Sequence, residues 1–112
     1  MKTFKEQLIE KADFGRYDIS EHVEKIKLKM EACALDREFT ISLVQVKPGY
    51  TVAFGLTKGP TYQTFIPDEI EPHIYMKLFI EALEELGFKG KDIETGAGAN
   101  KNCYYYIIKV KW

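Results

Sequence analysis

The run Cys103–Trp112, C-Y-Y-Y-I-I-K-V-K-W, constrains this chain more than any other stretch, because it reads as a β-strand and nothing else. Aromatic and β-branched residues crowd it, and no Gly or Pro interrupts it. Strand alternation sets Tyr104, Tyr106, Ile108, Val110 and Trp112 on one face, which predicts core. It sets Cys103, Tyr105, Ile107, Lys109 and Lys111 on the other, a mixture of apolar and basic groups that predicts a contact surface. The sequence leaves open whether this strand is inside a sheet or at its edge. At an edge, a neighbouring chain could pair with it, or Lys109 and Lys111 could be the charges that prevent pairing.

Two helices are expected before any strand. Thr3-Phe4-Lys5-Glu6 fits a capping box, with Phe4, Leu8 and Ala12 following at helical spacing and Gly15 as the stop. A second helix starts at Asp18 or Ser20, with Val23, Ile26, Met30 and Cys33 as its apolar stripe. The period then changes to two. Phe39, Ile41 and Leu43 share a face before Val44 and Val46 take over, a slip that predicts a bulge or a strand covered on both sides. Lys47-Pro48-Gly49-Tyr50 has the form of a type II turn, Tyr50–Leu56 alternates as a strand, and Lys58-Gly59-Pro60 turns into residues 61–66. The expectation is a three-stranded meander.

A third helix covers the sheet through Ile74, Leu78, Phe79, Ala82, Leu83 and Leu86. It begins with a capping box from Asp68 to Glu71 or with Pro72 at its first position, and Gly87-Phe88 closes it in a Schellman motif. A weak strand, Asp92–Thr95, and a Gly-rich loop lead into the last strand. The fold class is α+β in the order α-α-β-β-β-α-β-β. It has a mainly antiparallel sheet of four to five strands, with three helices packed on one face.

At 112 residues with 46% apolar and 29% charged residues, the chain fits one domain, 1–112. The N-terminal M-K-T-F-K-E-Q-L-I-E lacks the apolar run of a signal peptide, and no stretch has the ~18 apolar residues of a membrane span. Cys33 and Cys103 are too few for a disulfide framework, so a reducing cytoplasm is expected. The net charge of −1 hides an asymmetry. Residues 67–86 carry Asp68, Glu69, Glu71, Glu81, Glu84 and Glu85 against Lys77, whereas residues 89–112 carry five lysines against Asp92 and Glu94. Opposed charges of this kind suit a charged partner or self-association.

No enzyme signature emerges. Cys33 is expected as a buried structural thiol and Cys103 as the more accessible one, with neither histidine close in sequence. Asp68, Glu69, Glu71 and His73 crowd a helix start, but without metal-ligand spacing, and helix starts attract acids on electrostatic grounds alone. No cofactor is expected. The element order over residues 20–86 is that of a double-stranded RNA-binding domain. The acids at the start of its second helix would repel the phosphates that such a domain grips with lysine, and the chain is not assigned to that family.

The expected function is therefore non-enzymatic: a small cytoplasmic adaptor or inhibitor of another protein, with a Lys/Ile/Tyr-rich composition that suits a mobile element. Tyr105, Lys109 and Lys111 are the expected contacts, with Glu81, Glu84 and Glu85 as a second face. An alternative is a nucleotide-like anion held by the loop 95–102 through Gly96, Gly98, Asn100 and Lys101. A third is single-stranded nucleic acid stacked on Tyr105 and held by Lys109 and Lys111.

Overall fold

The computed structural model describes residues 3–9, 18–52 and 59–112. Helix α1 covers residues 4–9, and the Thr3 hydroxyl accepts the Glu6 N–H at 3.2 Å, as the capping pattern requires. Phe4, Leu8 and Ile9 are exposed rather than packed in the core. Ala12 and Gly15 lie outside the described residues. Helix α2 is Ser20–Ala32 and buries Ile26 and Met30. A 3-10 turn, Ala34–Asp36, then leads to strand β1, Glu38–Val46. Strand β2 is Thr61–Phe65, helix α3 is Pro72–Glu85, β3 is Ile93–Ala99 and β4 is Cys103–Lys111.

The sheet order is β2-β1-β4-β3. β1 pairs antiparallel with β4, and β4 with β3, but β1 and β2 run parallel. The sheet is therefore mixed, and the expected meander is corrected. A meander would insert a strand between residues 39–46 and 61–66, whereas Ile41 lies directly beside Tyr62. The turn at Lys47–Tyr50 does form, with the Tyr50 N–H on the Lys47 carbonyl at 3.2 Å and Gly49 at φ +84°. Residues 50–52 after it carry no regular structure, and 53–58 of the expected middle strand lie outside the described residues.

One core cluster sits between α2, α3 and the inner face of the sheet. It is built from Ile26, Met30, Phe39, Ile41, Leu43, Phe79, Leu83, Ile108 and Val110 among others. Complete burial of side chains such as Ile41 and Ile108 contributes about 1.5–3 kcal/mol each. The phase slip in β1 is not a bulge, because its register with β4 is unbroken from Glu38 to Val46. Val44 is buried on the opposite face, so the strand is locally covered on both sides.

Helix α3 starts with Pro72 at its first turn and no side-chain cap, and ends as the Gly87-Phe88 pattern predicts. Gly87 has φ +106°, its N–H bonds the Glu84 carbonyl at 3.0 Å, and the Phe88 N–H bonds Leu83 at 3.1 Å. Among the described residues no helix is long and apolar enough to cross a membrane.

Candidate functional site

β4 is an interior strand, hydrogen-bonded to β1 on one side and β3 on the other. Edge pairing through β4 is thereby ruled out. What β4 offers is its outer face, the one turned from the helical core. Tyr105 and Lys109 are half-buried there, and Ile107 between them is 37% exposed. The register places Val44, Ser42 and Thr40 of β1 beside these three. Phe65 of β2, itself 45% exposed, is beside Val44 on the same face.

The alternation holds in the middle of β4 and fails at its ends. Ile108 and Val110 are fully buried, but Tyr104 and Trp112, expected in the core, are more than a third exposed. Tyr104 lies under the Lys47 ammonium, 4.8 Å from the ring centroid. Trp112 is tied to the turn after α2, its indole N–H donating to the Ala34 carbonyl at 3.0 Å and its backbone N–H to Arg37 at 3.0 Å. Cys103, expected to be accessible, is buried, with its thiol 3.4 Å from the Asn100 amide oxygen. Cys33 is only half-buried, and its thiol is held on the Lys29 carbonyl at 2.8 Å.

The basic C-terminal segment is not a free positive surface. Lys109 pairs with Glu38 at 3.6 Å and Lys111 with Glu94 at 3.1 Å. Glu81, Glu84 and Glu85 are exposed on α3, across the sheet from Tyr105, so the two expected contact sets are not brought together. Glu81 and Glu85 line a shallow cleft of about 370 Å³ with Asp18, Glu24 and Leu78.

The Gly-rich loop is also corrected. Gly96 and Gly98 belong to β3, opposite Ile107 and Tyr105, and only Asn100, Lys101 and Asn102 remain as the turn. The Asn100 side chain accepts the N–H groups of Asn102 and Cys103 at 2.8 and 2.9 Å, which fixes that turn from within. A Cβ on Gly98 would collide with the Tyr105 ring, so this glycine makes room for an aromatic and not for an anion. The Lys47 ammonium donates to the Asn100 carbonyl. No local pattern signals this contact, because Lys47 and Asn100 are 53 residues apart along the chain.

One constellation escaped sequence reading altogether. His22 Nδ1 lies 2.6 Å from the Tyr62 hydroxyl, with Phe79 against the imidazole. Burial lowers the His22 pKa, Lys25 lowers it further and Glu21 partly opposes them. Burial also raises the Tyr62 and Tyr75 phenols. His22 is half-buried and Tyr62 buried, so at the margin of the core each supplies the other's polar partner. Among the described residues no group of three or more His, Cys, Asp or Glu is arranged to hold a metal. Comparison with protein-family models, with curated proteins and with solved structures finds no match to this chain.

Proposed function

We propose that the protein is a small binding module, an adaptor or inhibitor, that recognises another protein with the outer face of its sheet. The observation that carries this reading is the Tyr105-Ile107-Lys109 row in the centre of that face, with Ile107 37% exposed on a rigid interior strand. Both helices that build the core pack on the opposite side. A rigid aromatic and aliphatic row rimmed by charge is the composition expected of a protein contact, with aromatic residues as anchors. Lys109 and Lys111, each paired with an acid, supply orientation more than affinity.

Capture from host lysate with the intact chain and with Ile107→Glu and Tyr105→Ala tests the reading. A discrete protein retained by the parent and lost from both variants, with circular dichroism unchanged, supports it. An identical set of captured proteins for all three refutes it. A single-stranded nucleic-acid contact is the second reading, because Phe65 and Tyr105 share the face that stacking would use. Titration of a labelled oligonucleotide separates the two, since phosphate binding must weaken steeply with salt.

A further inference from the structure

We infer that two copies of this chain pair through β3, antiparallel about a two-fold axis at Gly96, to form one continuous eight-stranded sheet. β3 is an edge strand, since β4 is its neighbour on one side and no strand among the described residues pairs with the other. Most of its residues, including Thr95, Gly96, Ala97 and Ala99, are exposed.

The hydrogen-bond phase shows which groups face outward. The Asn100 N–H donates to the Cys103 carbonyl at 2.9 Å, so alternation turns the even-numbered residues 94, 96 and 98 toward β4. The peptide groups of Ile93, Thr95, Ala97 and Ala99 then point away from the sheet. The Ile93 N–H is already bonded to the Gly90 carbonyl. The other outward groups of β3 have no backbone partner among the described residues.

Long edges of this kind are usually blocked by proline, lysine or a bulge. β3 has none of these, its register with β4 is unbroken, and its one charge, Glu94, is paired with Lys111. The opposite edge is different: β2 is five residues long and is flanked by Pro60 and Pro67.

The occupant follows from the register. Two antiparallel strands must oppose residues of the same face, so a two-fold axis has to pass through a residue position. Centred on Gly96, all seven residues of β3 meet seven of the other copy. Centred on Thr95, Ala99 would meet Lys91 of the 3-10 turn, and centred on Ala97, Ile93 would meet Lys101 of the hairpin turn. The Gly96 register opposes no like charges. It sets Glu94 of each copy against Gly98 of the other, beside the Tyr105 hydroxyl that lies over that glycine. Two glycines meet on the axis, and a Cβ built on Gly96 meets nothing within 4 Å. The inference is independent of the outer-face contact, which uses side chains of β4.

Sedimentation equilibrium on the intact chain, from about 1 to about 200 μM, spans the range in which a small one-strand interface titrates. Masses should rise toward twice 13.0 kDa. Gly96→Lys and Gly96→Glu each place like charges across the axis and should lower self-association at least tenfold. Gly96 has open space around it, so each variant keeps the monomer fold. An equimolar mixture of the two should recover the dimer, because opposite charges then face each other. Amide exchange should protect Thr95, Ala97 and Ala99 at high concentration only. A chain that stays monomeric throughout overturns the inference. So does a dimer that either variant leaves intact, or a mixture that stays monomeric.

Discussion

Gly98 and Tyr105 stand opposite each other across β3 and β4, and the tyrosine ring fills the volume that a methyl group on Gly98 would need. Gly98→Ala should therefore cost about 1 kcal/mol by overpacking in the parent. With Tyr105→Ala already present, the same change should stabilise by a few tenths, because alanine suits a strand better than glycine. A double-mutant cycle by urea denaturation measures this coupling, and additive effects would contradict it. His22 gives a second prediction. Its pKa is lowered in the folded state mainly by burial, so folding favours the neutral ring. The stabilisation is complete above the unfolded value near 6.5 and is lost as the pH falls from there toward the folded value. Urea midpoints at pH 7.5 and 5.5 should show a fall in the parent that is reduced in His22→Asn. Neither pair was legible in the sequence. Residues 22 and 62 meet only through the packing of α2 against β2, and the glycines at 96 and 98 have the composition of a loop as much as of a strand facing an aromatic.

Among the elements, α3 was the most readable, because both its apolar face and its termination depend on neighbours within a few residues. Gly87 ends the helix at a φ that glycine takes without strain, and Gly87→Ala should destabilise by about 1–2 kcal/mol, since φ +106° excludes a side chain at low energy. Thermal denaturation checks the value. The strands were legible as strands but not in their pairing. Alternation identifies which residues share a face, yet β1 could take β2 as a parallel neighbour only by a long connection that no local signal encodes. The ion pairs Lys109–Glu38 and Lys111–Glu94 are both solvent-exposed, so Lys109→Met and Lys111→Met should each change stability by less than about 1 kcal/mol. A loss of partner binding in those variants would then report contact and not unfolding.

At the scale of the whole molecule, β4 joins β1 to β3, and the sheet has no other route between them. Deleting residues 103–112 should leave no cooperative unfolding transition, whereas deleting residues 3–9, whose apolar side chains are exposed, should leave the transition in place. Circular dichroism during heating distinguishes the two truncations. The α+β class was legible because helical and alternating periods occupy separate stretches. The order β2-β1-β4-β3 was not, because it depends on which segments of distant sequence share the core.

The interior position of β4 also has a consequence during translation. β1 is complete at residue 46 and its central partner at residue 111, which separates them by roughly 3–13 s at ordinary ribosomal speed. For that interval Phe39, Ile41 and Leu43 lack the strand that completes their side of the sheet, and exposed apolar surface of this kind is prone to aggregation until β4 arrives.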